Sequence, residues 1–442
     1  MRKRAALLFL SVLSAALVCS CGTPGGSGNL GGGAPTSVTG GGAPTTVTFT
    51  ITGVTPTAVA TKIGSGAFTP GTLTSGTVTI TIPSKESSFA VAYFCTVFLP
   101  PSGLGPSEVT EQDVFEATTL DGSSFSGSCL SGYASPTTPP TAQLTGSIDA
   151  STIPGVSSLT VSVGNSDFEM SFTNASSFGF AAPTGTDRVL VLAYDDVWSP
   201  PAPSGSTTLA AARSFNSQAV PGALNGGNTV ALGSQDETTP VAITYSNLPS
   251  GFAIDFSTAS FVTSTGNEHI IAAPATNQYP ALPKGAIASG DYYSIYMDAY
   301  SGSSGVSVTS NLTSAVPVAI TFPPGWFYAG PAPAALPTFN FAYNGFASGA
   351  GISYLAAWNW EPAGSGIQYS AQVTATGNYL NGATSVSMPD LSGLAGTLPP
   401  SVSGSWVNWT ARISQTTYGS QPASPANQTT TVVGNSGTYQ AP

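Results

Sequence analysis

Strict alternation of apolar and polar residues is the pattern that most constrains how this chain can fold. Segments 47–51 and 77–82 alternate Val, Phe or Ile with Thr. A period of two places successive side chains on opposite faces of a β-strand, and no stretch of a dozen residues keeps a helical period. Segment 89–99 is apolar on both faces, which predicts a central strand. We therefore expect an all-β protein, with a helical turn as an equal alternative to a strand only at 209–213.

A weak internal repeat divides the chain. Segments 79–93 and 179–194 share the order of a strand, a proline and a second apolar strand, and prolines cluster at 136–140 and 331–337. Such self-similarity indicates tandem modules. The predicted organisation is a signal peptide at 1–20, a flexible Gly-rich tether at 21–46, β-sandwiches at 47–135, 141–235, 240–323 and 333–420, and a polar tail at 421–442.

The layout of these modules resembles known sandwich families. Over about 46–235 the first two units resemble transthyretin-like, carboxypeptidase-regulatory-type β-sandwiches, which occur as repeats in exported bacterial proteins. The fourth unit is similar to immunoglobulin or fibronectin-III sandwiches, because Trp358 and Trp360 share one face of a strand and Val407 and Trp409 share one face of another. These resemblances imply binding, spacing or scaffold roles and no shared chemistry.

The N-terminus has the order of an export signal. Arg2, Lys3 and Arg4 precede the apolar run 5–18, which is shorter than the roughly 20 residues that cross a bilayer. Val18-Cys-Ser-Cys21 then resembles the lipobox of bacterial lipoproteins. That resemblance implies acylation of Cys21 and a membrane-anchored protein of the bacterial cell envelope, facing the periplasm or the exterior, on an outer membrane if one is present. An ordinary cleaved signal peptide is the alternative.

The charge of the chain limits the classes of partner that it can bind. Only 7% of residues are charged and the formal net charge is −11, so nucleic acid is not an expected partner, because phosphate binding needs clustered Lys and Arg. Glycans, surface proteins and divalent cations remain compatible with this charge as partners.

Cys95 and Cys129 each share a strand face with aromatic residues. An exported protein meets an oxidising compartment, so we expect these two cysteines to form a disulfide.

Aromatic residues in the predicted loops are the candidate ligand contacts. Trp198 lies in a predicted loop just before two prolines, and Trp326 and Tyr328 lie in a segment bracketed by prolines. Trp406 points the opposite way from Trp409 along its strand. Exposed aromatic rings stack on sugars or anchor protein partners, so these four residues form the predicted ligand-binding set. The alternative is that they cap the open ends of the sandwiches or fill a domain junction.

Acidic residues are weaker candidates for a metal-binding or catalytic site. Asp195, Asp196 and Asp236 could supply oxygen ligands to calcium, which is the one cofactor that the sequence leaves open. A pair of carboxylates could also catalyse the hydrolysis of glycosidic bonds. The alternative to both interpretations is that these acids are solvated loop residues with no specific site. His269 is the one histidine and no nucleophile elbow accompanies it, so no catalytic residue is assigned.

These observations favour a non-enzymatic binding or structural protein for glycan or protein partners. An accessory subunit of an envelope assembly and a polysaccharide-acting enzyme are the alternatives.

Overall fold

A computed structural model of the protein describes residues 44–99, 106–130, 141–163, 166–171, 176–183, 188–195, 207–216, 229–275, 277–346, 351–418 and 427–442. Within these ranges the chain is almost entirely β, with one four-residue helix, α1 (Gly377–Leu380), and two short 3₁₀ turns. The expected all-β fold class is confirmed, and segment 209–213 is strand. No helix in the described ranges is long and apolar enough to cross a membrane.

The strands fall into four consecutive units. The first unit contains β1 (Thr45–Gly53), β2 (Ala58–Ile63), β3 (Thr69–Pro70), β4 (Leu73–Thr74), β5 (Thr77–Ile82), β6 (Ser88–Phe98), β7 (Glu108–Thr118) and β8 (Ser124–Cys129). The second contains β9 (Thr141–Asp149), β10 (Ser158–Val163), β11 (Ser166–Ser171), β12 (Ser176–Pro183), β13 (Arg188–Tyr194), β14 (Thr207–Asn216) and β15 (Thr229–Ala231).

The other two units complete the chain. The third contains β16 (Thr239–Ser246), β17 (Ala253–Val262), β18 (Glu268–Ala273), β19 (Gln278–Ala281), β20 (Tyr292–Ser301), β21 (Ser304–Leu312) and β22 (Val318–Thr321). The fourth contains β23 (Thr338–Asn340), β24 (Ile352–Trp360), β25 (Ile367–Thr376), β26 (Ser385–Ser387), β27 (Trp406–Tyr418) and β28 (Gln428–Gln440).

The first three units share one topology. In each, the first strand lies at the centre of a short sheet, antiparallel to one neighbour and parallel to the last strand of the unit: β5-β1-β8, β12-β9-β15 and β19-β16-β22. The weak internal repeat in the sequence is therefore accompanied by a repeated strand arrangement.

The units are joined edge to edge in one long sheet of 16 strands, an arrangement that the sequence does not predict. Its order is β11-β10-β13-β14-β18-β17-β20-β21-β28-β27-β24-β25-β7-β6-β2-β3, so the units follow one another in space as second, third, fourth and first. The junction strands are β14 with β18, β21 with β28, and β25 with β7, the last pair parallel.

The cores alternate between the two sides of this long sheet. Residues that pair directly across strands share a face, and Val114 of β7 pairs with Val373 of β25 in the core of the third and fourth units. The next residue, Phe115, points to the opposite side, where it packs against the separate core of the first unit. In the second unit, Leu192 joins the large core while Val191 points into a core of its own.

The predicted polar tail at 421–442 is wrong for most of its length. Gln428–Gln440 forms β28, which pairs with β27 and with β21 and so connects the third and fourth units. Val433 and Tyr439 point into the core, while Gly434, Ser436 and Thr438 alternate with them and face outward. A strand with one solvated face needs few apolar residues, and its composition therefore resembles that of a tail.

The predicted disulfide between Cys95 and Cys129 is confirmed. Cys95 lies on β6 and Cys129 ends β8, with their Cα atoms 5.9 Å apart and both side chains fully buried. The bond joins the long sheet to the short sheet of the first unit.

Candidate binding face

One face of the long sheet is open over the third and fourth units. The strands β20, β21, β28, β27 and β24 direct alternate residues into the large core and direct the others away from it. We call this second side the outer face. Phe256 of the adjoining β17 lies on the same side. The half-buried or exposed residues of the outer face include Phe256, Tyr296, Tyr300, Ser307, Asn359, Trp406, Asn408, Thr410, Arg412, Ser436 and Thr438.

Two glycines allow large side chains to lie flat across the outer face. Gly305 of β21 pairs directly with Gly434 of β28, and the row continues to Tyr300 on one side and Arg412 on the other. A Cβ on Gly305 would be 2.6 Å from Cε1 of Tyr300, and one on Gly434 would be 3.2 Å from Cγ of Arg412. The Tyr300 ring therefore covers Gly305 and keeps 42% of its surface exposed.

Polar contacts hold the aromatic residues around Tyr300. The hydroxyl of Tyr296 donates to Oδ2 of Asp298 at 3.0 Å, and the N–H of Phe256 donates to Oδ1 at 2.8 Å. Burial raises the pKa of Asp298, and these two donors partly oppose that rise. Burial also raises the pKa of Tyr300, with Asp298 adding to the rise and Arg412 opposing it, so Tyr300 stays a neutral hydroxyl near neutral pH.

Trp406 lies at the other end of the outer face. It begins β27, pairs with Gln440 and is 64% exposed, in contrast to Trp409, which is buried in the core. Two residues along β27, Nδ2 of Asn408 donates to Oδ1 of Asn359 at 3.1 Å. The predicted outward direction of Trp406 agrees with the structure, and ligand binding there stays a prediction.

Trp326 and Tyr328 do not form the predicted exposed pair. Trp326 is only 5% exposed and stacks on Tyr328, with ring centroids 5.2 Å apart and planes 6° from parallel. Asn435 of β28 holds this segment: its Nδ2 donates to the Trp326 carbonyl at 2.8 Å, and its Oδ1 accepts from the Tyr328 N–H at 3.3 Å. The segment is buried because it packs on β28, whose position the sequence does not reveal. Trp198 lies outside the described residues.

The predicted calcium ligands have other contacts. Asp236 caps a 3₁₀ turn by accepting from the Gly233 N–H at 2.9 Å, and it lies 3.8 Å from Nε of Arg213. Asp195 accepts from the Thr208 N–H at 3.2 Å, and Asp196 lies outside the described residues. No group of three His, Cys, Asp or Glu side chains suited to a metal occurs in the described part of the chain. Calcium at these residues stays a prediction.

Buried acids that the sequence analysis missed lie in the first unit. Glu111 and Asp113 point from β7 into its core, where Glu111 accepts from the Leu130 N–H at 2.8 Å. Burial raises the pKa of Glu111 to about 7. Burial, followed by the charge of Glu111, raises the pKa of Asp113 well above its usual value, while the Tyr93 hydroxyl lowers it. Their i, i+2 spacing on a strand is the signal that could have placed them on one face.

His269 is also buried, at 5% exposure on β18.

Comparisons with known proteins give little further guidance. No family model matches the chain, and no curated protein matches it. Among solved structures, the chain is similar to the tip fimbrial protein Mfa3 from Porphyromonas gingivalis with C-terminal truncation, at 12% identity and a TM-score of 0.17, over 44% of this chain and 84% of that one. A TM-score this low carries no argument about function.

Proposed function

We propose that this chain is a lipid-anchored, non-enzymatic protein of the cell envelope that binds a neutral glycan on its outer face. One observation carries the proposal: Trp406 and Tyr300, exposed by 64% and 42%, project from the same open side of the long sheet. Aromatic rings with a free face stack on the apolar faces of sugar rings. Exposed aromatic rings lower the solubility of a protein, so their presence on one open face favours a binding site there.

The residues between these two rings suit a hydroxyl-rich ligand. Asn408, Thr410, Ser436 and Thr438 are half-buried or exposed and offer both donors and acceptors. The formal net charge of −11 opposes polyanionic partners, because like charges repel at long range. A neutral polysaccharide therefore fits the outer face better than an acidic one.

A polysaccharide retention screen with the full chain tests the proposal. We expect the wild type to be retained on at least one neutral polysaccharide, and Trp406→Ala and Tyr300→Ala each to weaken retention by about tenfold or more. Phe98→Ala is the matched control, because Phe98 is 75% exposed but points to the opposite side of the long sheet from Cys95 and the outer face. Circular dichroism verifies that each variant is folded.

Equal retention of all four proteins, or none by the wild type, would contradict glycan binding on the outer face. The envelope-assembly alternative would then gain weight, and crosslinking on intact cells would test it.

The anchor is tested separately. Cells fed an alkyne-labelled fatty acid should label the wild-type protein, and Cys21→Ser should remove the label while Cys19→Ser keeps it. Labelling that survives Cys21→Ser would refute acylation at this residue.

A further inference from the structure

The outer face has two aromatic platforms at a fixed separation. Trp406 and Arg412 lie six residues apart on β27, and Arg412 is in direct register with Tyr300 across Gly434 and Gly305. Six residues along a strand and three strand spacings across the sheet place the Cα atoms of Trp406 and Tyr300 about 25 Å apart. The Tyr300 ring lies over Gly305, one strand nearer to Trp406, so the two rings are about 20–25 Å apart. The two platforms therefore cannot contact the same sugar ring.

The surface between the platforms is continuous and polar. Ser436 and Thr438 of β28 lie on the diagonal from Trp406 to Tyr300, and both are exposed. Both residues pair with β27, beside the hydrogen bond from Asn408 to Asn359, and β21 pairs with β28 from Asn435 back to Thr429. The two platforms are therefore carried by neighbouring, hydrogen-bonded strands of one sheet, which limits changes in the distance between them.

Resting on the proposed function, we infer that the outer face binds one linear glycan chain at two points, and that binding has a length threshold. A chain must span about 20–25 Å, the length of about four to five pyranose rings, before it touches Trp406 and Tyr300 together. Once one platform is occupied, the second contact becomes intramolecular and gains from a high effective concentration. Shorter chains engage one platform at a time and bind weakly.

Calorimetric titration with size-fractionated oligomers of two to eight rings, prepared from the polysaccharide retained in the screen, tests the threshold. For the wild type we expect affinity to rise by at least about tenfold between four and six rings. Trp406→Ala and Tyr300→Ala should each remove this step while binding of the shortest oligomers persists, because one platform remains. Phe98→Ala should keep the step.

The outcomes separate this inference from the proposed function. A wild-type affinity that is flat or rises evenly with length, or a step that persists in Tyr300→Ala, would overturn the two-point mode and leave glycan binding intact. If the polymer itself is not retained, the proposed function fails and the two-point mode fails with it.

Discussion

The guanidinium of Arg188 and the carboxylate of Asp291 form a salt bridge, with Nη1 and Oδ2 2.7 Å apart. Arg188 begins β13 in the second unit, and Asp291 directly precedes β20 in the third. The strand pairing at this junction is short, since only Thr207 and Thr208 of β14 pair with β18. The salt bridge therefore supplements a junction that has few backbone hydrogen bonds.

Removal of the Asp291 carboxylate should loosen this junction. Asp291 is fully buried at its side chain and also accepts from the N–H groups of Ser264 and Ala288, at 2.9 and 2.7 Å. Asp291→Ala leaves these two N–H donors without their acceptor and a mostly buried guanidinium without its charge partner, which costs about 3–5 kcal/mol. Hydrogen exchange should accelerate in β14 and β18. Glu361→Ala, at an exposed site, is the control. If hydrogen exchange in β14 and β18 is as slow in Asp291→Ala as in this control, the pair has no role in holding the junction.

The buried acids of the first unit should make the protein less stable as the pH rises. Glu111 has a pKa of about 7 in the folded chain against an ordinary value of 4.5, so the folded state binds the extra proton. Its contribution to stability is complete below about pH 4.5 and is lost as the pH rises through about 7, a change of about 3 kcal/mol. Asp113 acts in the same direction.

Glu111→Gln isolates this effect, because the amide oxygen can still accept from Leu130. Urea unfolding at pH 5 and pH 8 should give a smaller difference for Glu111→Gln than for the wild type. The buried acids would have no such role if both proteins lost stability equally between the two pH values.

The disulfide should stabilise the first unit substantially. Cys95 and Cys129 are separated by 34 positions in sequence, and closing a loop of that length contributes about 3–4 kcal/mol by restricting the unfolded chain. The double variant Cys95→Ala/Cys129→Ala should unfold at lower urea concentration than the wild type. An unchanged urea midpoint would show that the first unit does not depend on the bond.

Gly305→Ala offers a test of the Tyr300 platform that leaves the tyrosine in place. The added Cβ would lie 2.6 Å from Cε1 of Tyr300, so the ring must leave its position over Gly305. We expect glycan affinity to fall by several-fold with little change in the unfolding midpoint, because the displaced group is a side chain at the surface. Gly302→Ala is the control: Gly302 lies in a turn with a φ of +61° and has open space around it, so the added Cβ does not touch Tyr300. Its unfolding midpoint gives the loss of stability caused by backbone strain alone. An unaltered affinity in Gly305→Ala would place the ligand elsewhere.

Much of the fold was predictable because alternation is a local signal. The all-β class follows from segments such as 47–51, and the partners Cys95 and Cys129 follow from the faces of their strands. The pairing of β25 with β7 was not predictable, because it joins residues more than 250 positions apart that carry no complementary pattern. The direction of Trp406 was predictable for the same local reason as the strands.

The outer face as a whole was not predictable. Tyr300 and Arg412 become neighbours across the sheet only because Gly305 pairs with Gly434, and that register is set by tertiary packing. Trp326 shows the opposite failure: flanking prolines suggested an exposed loop, while Asn435 of β28 holds it inside.

Covalent footprinting of the full chain, with and without the retained polysaccharide, tests the central claim most directly. Glycan binding on the outer face predicts protection of Trp406 and Tyr300, with Phe98 labelled equally in both states. Protection of Phe98 with Trp406 and Tyr300 still labelled would contradict the account and place the glycan on the other side of the sheet.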